Sequence, residues 1–186
     1  MSKPNPLAWL GAVGVAALAS AGCSSTEPIA NGAAAPKFSL AASDGKTHTL
    51  ESLTSGGTVF FYGIKNGCPV NAKAEDFYDQ LARAYAGKAT FVGVSNLTAD
   101  TFPKWDEKFD PSYTVIFDPK KELISGLGME RSPWLVQVGR SGKVVKSWPG
   151  YSGLDLEDMS EAMAASAGIQ PAALDFDAAP AATSYG

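Results

Sequence analysis

The pattern of apolar runs predicts an α/β domain, a layered sheet covered by helices. Three observations carry this. The runs "TVFFYGI" (58–64), "ATFVGVSN" (89–96) and "PWLVQV" (133–138) are continuous, aromatic and β-branched, as buried strands are. The segments between them show the three- and four-residue apolar spacing of amphipathic helices. The alternation of the two implies strands joined by right-handed helical crossovers.

The elements follow in order. "KFSLAAS" (37–43) is a short strand, "SDGK" a turn with Asp-Gly at its centre, and "THTLESL" (47–53) continues as strand and loop, which makes an N-terminal β-hairpin. "TVFFYGI" is a buried strand. A helix runs from about Pro69 to Tyr85, with Val70, Ala74, Phe77, Leu81 and Tyr85 as its apolar stripe. "ATFVGVSN" is the next strand, and "TADTFPKWDEKF" (98–109) is a short helix whose start is limited by Pro103. "YTVIFD" (113–118) is a strand and "PKKELISGLG" (119–128) a short helical piece. "PWLVQV", "GRSGK" and "VVKSWPG" form a hairpin, and "LDLEDMSEAMAASAGI" (154–169) closes the domain as an amphipathic helix.

Composition bounds the function. The chain has 186 residues, 45% hydrophobic, with a formal net charge of −4. That is enough for one ordinary domain with a proper core. No Lys/Arg cluster stands out, so nucleic acid is not an expected partner. One histidine and two cysteines do not make a zinc site of the usual ligand count without carboxylates, and no metal or cofactor is expected.

The first 22 residues read as a leader outside the fold. "MSKPNPLAWLGAVGVAALASAGC" has one lysine, an apolar stretch from Leu7 to Ala19, then small residues. The stretch is short for a membrane span and fits a signal-peptide core. Its end has two readings. Cleavage before Cys23 makes that residue the lipid-bearing start of a bacterial lipoprotein; "AGC" resembles the lipobox, although Ser20 stands where a leucine-like residue is usual. Alternatively "ASA" is an ordinary cleavage site. Either way the mature chain is exported, to a compartment that permits disulfides. In the lipoprotein reading it is membrane-anchored and faces the periplasm or cell exterior. Residues 23–35 read as a flexible tether, 36–170 as the domain, and the Ala/Pro-rich "PAALDFDAAPAATSYG" (171–186) as a loose tail.

The stretch "FFYGIKNGCPVNAKAEDFY" (60–78) holds the chemistry. Its cysteine lies where a strand meets a helix, in the polar loop "KNGCPVN", with Pro69 at the first helical position. The free N–H groups of a helix's first turn favour the thiolate, the reactive species, and Lys65 is placed to add to this. Gly67 gives room for a tight turn. The competing reading is an inert packing cysteine.

Four stretches together resemble the thioredoxin-like superfamily, in its redoxin or alkyl hydroperoxide reductase/thiol-specific antioxidant branch. They are "PKFSLAASDGKTHTLESL", "VFFYGIKNGCPVNAKAEDF", "RSPWLVQVGRSGKVV" and "LDLEDMSEAM", spanning nearly the whole domain. The resemblance implies a central mixed sheet with helices on both faces. It implies that Cys68 is the active-site thiol and that the Ser132–Pro133 bond is cis and close to it. The backbone before Pro133 would then pair with an incoming peptide, and Arg131 nearby is placed to hold a thiolate, sulfenate or carboxylate.

The chain departs from both branches. Dithiol reductases carry a second cysteine three residues after the first; here that position is Asn71, in "CPVN". Peroxidatic redoxins carry P-x-x-x-T-x-x-C; here the proline and threonine positions are Phe61 and Lys65. The resemblance therefore implies one-cysteine thiol–disulfide exchange on a protein or small-molecule thiol, disulfide or peroxide, with an external thiol as reductant. A one-cysteine peroxidase and a non-catalytic binding module are the alternatives. Trp134 and Trp148 read as core, and Asp118 as a turn or cap residue.

One expectation follows for processing. The membrane-extracted protein should carry diacylglycerol on an N-terminal Cys23, read by intact mass. A soluble product beginning at Gly22 would instead support the ordinary cleavage site.

Overall fold

The structure, a computed structural model, describes Met1 and residues 28–186. Strands β1 (Ser39–Ala41) and β2 (Thr47–Thr49) form the N-terminal hairpin, followed by helix α1 (Leu50–Thr54). Then come β3 (Val59–Ile64), α2 (Pro69–Ala84), β4 (Thr90–Ser95), α3 (Phe102–Phe109), β5 (Thr114–Phe117), α4 (Glu122–Gly126), β6 (Trp134–Val138), β7 (Val144–Pro149) and α5 (Gly153–Ala167). Among the described residues no helix is long and apolar enough to cross a membrane.

The central sheet has the order β5-β4-β3-β6-β7. It is mixed: β3 runs parallel to β4 and antiparallel to β6. As the middle strand, β3 is buried at every position, which its unbroken apolar run dictates. Phe60, Tyr62 and Ile64 point to one face, where they meet Tyr78 and Leu81 of α2, Trp105 of α3 and Met159 of α5. Val59 and Phe61 point to the other, against Leu50 and Leu53 of α1, Leu123 of α4 and Leu127 just after it. Helices thus cover both faces of a thioredoxin-like mixed sheet. Trp134 and Trp148 lie in the core, on opposite faces.

Three segments differ from their expected state. "THTLESL" does not stay extended, because Thr49 and Ser52 form a reciprocal capping box: the Ser52 amide donates to Thr49 Oγ1 (3.1 Å) and the Thr49 amide to Ser52 Oγ (3.0 Å). That cap starts α1. Residues 29–35, expected as tether, lie along the β6–β7 hairpin. The Gly32 amide donates to the Val144 carbonyl (2.7 Å), the Val144 amide to Ala33 (2.9 Å), and Ala35 is buried. The tail also packs. Its few apolar residues are well placed: Phe176 is buried in the face-one core, with its ring 6.3 Å from that of Phe77.

The buried stripe of α2 is also rotated from the expected one. Asn71, Ala74, Glu75, Tyr78, Leu81 and Ala82 face inward, while Val70 and Phe77 are half-buried. Two polar residues on the buried line obscured it.

The sheet's outer edges are covered or blunted. Along β5, the Ser43 amide donates to the Val115 carbonyl and the Val115 amide to Ser43 Oγ, both at 2.9 Å. On β7, residues 32–33 occupy Val144, Lys146 is ion-paired with Asp158 (2.5 Å), and Pro149 offers no N–H.

Packing beneath β4 is tight. A Cβ on Gly93 would lie 2.7 Å from Ile64 Cδ1 and 2.9 Å from Tyr113 Cε2. Gly93→Ala should therefore destabilise the protein by about 1–3 kcal/mol, as overpacking does. Urea unfolding measures this, and a neutral result would show that the Ile64 and Tyr113 side chains yield freely.

Candidate active site

Cys68 is the N-cap of α2, with Pro69 at the first helical position. Gly67, at φ 80°, makes the turn that brings the chain off β3, and the Cys68 amide closes it on the Lys65 carbonyl (3.2 Å). The Cys68 carbonyl accepts from Ala72 (3.1 Å), so the residue belongs to the first turn while its thiol stays outside the helix. Sγ lies 3.9 Å from the Ser132 carbonyl oxygen. The Ser132–Pro133 bond is cis. Cys68 is only 7% exposed, and part of its cover is the end of the tail. A Cβ built on Gly186 would stand 2.8 Å from Sγ.

The position of the absent second cysteine has another role. Asn71 Oδ1 accepts the Lys65 amide at 2.7 Å and is bonded by the Ser132 hydroxyl. That hydroxyl's single hydrogen is shared with the Gly63 carbonyl, 3.0 Å from Ser132 Oγ. Asn71 Nδ2 donates to Tyr62 Oη (2.5 Å). The asparagine thus ties the start of α2 to the end of β3 and to the loop before β6.

Beneath it lies Glu75, one helical turn on and 1% exposed. Tyr62 Oη donates to its Oε2 (3.0 Å) and Tyr113 Oη to its Oε1. Burial pushes the Glu75 carboxyl up to about 7, against the opposing pull of the Tyr113 and Tyr62 hydroxyls. Burial first, and the Glu75 charge second, hold Tyr62 and Tyr113 well above the ordinary phenol range. The residue lines a cavity of about 840 Å³ beside Cys68, together with Asp100, Lys104 and Trp105. Lys65, Lys73 and Lys108 also line it and add to its positive character.

The sequence-assigned residues come together in part. Cys68 and Pro133 flank the Ser132 carbonyl. Lys65 joins the network through its backbone, and its side chain lines the cavities on both sides of the loop. Arg131 is exposed, with its guanidinium 4.6 Å from the ring centroid of Tyr185. Cys23 lies outside the described residues. Asp118 caps α4, accepting from Glu122 (3.0 Å) and Ile124 (2.8 Å). Ser132, Glu75, Tyr62, Tyr113 and Gly186 were not singled out. Glu75 had a signal: it is four residues after Asn71 and three before Tyr78, on the line that faces the sheet.

A family comparison matches residues 31–147, which contain the cysteine loop and the segment through Pro133, to the AhpC/TSA family. The chain belongs to that family. No curated protein matches it. Among solved structures it is similar to a thiol:disulfide interchange protein DsbE from Chlorobium tepidum (25% identity, TM-score 0.66, covering 75% of this chain and 99% of that one). A pneumococcal exposed lipoprotein thioredoxin from Streptococcus pneumoniae (21%, 0.60, 69% and 98%) and the peroxidoxin BcpB of Mycobacterium tuberculosis (19%, 0.56, 64% and 84%) share the fold. This AhpC/TSA member is thus a thioredoxin-like redoxin with thiol–disulfide oxidoreductases among its structural neighbours.

Glu75 makes stability depend on pH in a stated direction. Its folded value, about 7, lies above the ordinary 4.5. The protonated form is therefore favoured by folding, a contribution fully present below about 4.5 and lost as pH rises through 7. The difference in unfolding free energy between wild type and Glu75→Gln should fall by roughly 3 kcal/mol from pH 4.5 to 8. Urea titrations at several pH values read this; parallel curves would show that Glu75 titrates normally.

Proposed function

We propose that this chain is an exported, lipid-anchored redoxin that exchanges disulfides through one cysteine, Cys68. The observation that carries the reading is the placement of Cys68 outside the first turn of α2, against the Ser132 carbonyl, with Asn71 at the position of a resolving thiol. A thiolate there has the helix's free N–H groups behind it and a backbone edge in front of it.

The exchange runs in two steps. Cys68 Sγ attacks a substrate disulfide; a new S–S bond forms, the old one breaks, and the leaving thiolate takes a proton from solvent. Asn71 offers no thiol to reverse the adduct. An external thiol attacks the substrate sulfur instead, and Cys68 leaves as thiolate. The substrate is a protein or small-molecule disulfide. The positive cavity beside Cys68 suits the thiolates that each step produces. Arg131 flanks the approaching chain, and Pro133 fixes the edge it meets. The "AGC" end of the leader supports a lipid on Cys23 and a position facing the periplasm or cell exterior. Peroxide chemistry is the weaker reading. Phe61, at the proline position of the peroxidatic motif, is buried on the far face, and Lys65 carries no hydroxyl.

With a disulfide substrate, non-reducing electrophoresis should show a long-lived adduct, absent in Cys68→Ser and released by added thiol. Asn71→Cys should speed its release, at a stability cost of about 1–3 kcal/mol from the lost bonds to Lys65 and Ser132. Rapid peroxide consumption without an adduct would move the function to a peroxidase.

A further inference from the structure

Residues 171–186 are mostly alanine, proline and small polar side chains, with little surface to bury. Yet their path is fixed at five points. Phe176 is buried in the core. The Gly153 amide donates to the Pro180 carbonyl (3.0 Å), and Thr183 Oγ1 donates to Asp155 (2.8 Å). Ser184 exchanges both backbone bonds with Tyr151, at 2.8 and 3.0 Å. Gly186 exchanges both with Ser132, at 2.8 and 3.1 Å. The Tyr185 ring between them lies against Arg131.

Gly186 pairs reciprocally with Ser132, as a residue of an incoming chain does at an exposed backbone edge, while Ser184 pairs with Tyr151, which follows β7. The edge in question is the one beside Cys68. A side chain at position 186 would meet the thiol, since its Cβ would stand 2.8 Å from Sγ. That distance is near the roughly 3 Å between Cβ and the far sulfur of a disulfide, given an S–S length of about 2.05 Å. Position 186 is therefore where a substrate cysteine would present its sulfur, and the chain fills it with the one residue that has no side chain to react.

We propose that Ser184–Gly186 is a built-in occupant of the substrate edge, which a polypeptide must displace before its disulfide reaches Cys68. This rests on the exchange function above. Phe176 holds the chain ten residues before Gly186. A short tether of that kind keeps a released tail at an effective concentration of millimolar order, so weak substrates are excluded.

Two measurements test this, both in full chain carrying Cys23→Ser. In Gly186→Cys, oxidised glutathione should link the introduced thiol to Cys68. The two thiols lose two hydrogens, glutathione disulfide is reduced to two glutathiones, and monomer mass falls by about 2 Da. Glutathione adducts on both thiols with no internal link would overturn the placement. Ending the chain at Ala182 should raise the iodoacetamide alkylation rate of Cys68 at least tenfold, and an unchanged rate would overturn the occupancy. Alkylation needs no disulfide exchange. A tail that controls alkylation in a protein forming no disulfide adduct would therefore refute the exchange function and leave the occupant standing.

Discussion

The bond between Asn71 and Ser132 is the constraint on which the site's geometry rests. It joins the first turn of α2 to the loop before β6, two segments 61 residues apart in sequence. The Lys65 amide and the Gly63 carbonyl are drawn into the same knot. Without it, Cys68 and the Ser132 backbone would sit on two independently mobile loops. With it, the thiol keeps its place beside the Ser132 backbone. Buried polar networks of this kind specify geometry when every member is partnered. Here the asparagine spends both its acceptor and its donor, the latter on Tyr62.

The frame of the fold was legible because its signals are local and redundant. The runs containing β3 and β4 are apolar at nearly every position, which is enough to place them in the middle of a covered sheet. The cysteine's position was legible too, since Gly67 and Pro69 bracket it with a turn and a helix start. The short helix α1 was missed because its signal is a serine cap, Thr49 to Ser52, where the familiar form has Glu or Gln at the third position. The stripe of α2 was misplaced because Asn71 and Glu75 are polar yet face inward; only their tyrosine and serine partners, distant in sequence, explain that.

The two ends of the domain were misread for a shared reason. Residues 29–35 and 171–186 bury few side chains, and composition reports side chains. Both are held mainly through the backbone, which composition does not report. Gly32, Ala33 and Ala35 bond to the β6–β7 hairpin, and Ser184 and Gly186 bond beside it. Small residues serve here because they let two backbones approach.

The covering of the sheet's borders has a colloidal meaning. An unpaired strand border is a template on which a second molecule can grow. In this chain Ser43 closes one border. Residues 32–33 close the start of the other, and Lys146 and Pro149 spoil what is left of it. The backbone groups of Ser132 are taken as well, by Gly186. At these borders the described residues offer a neighbouring copy side chains and turns in place of a free backbone ladder.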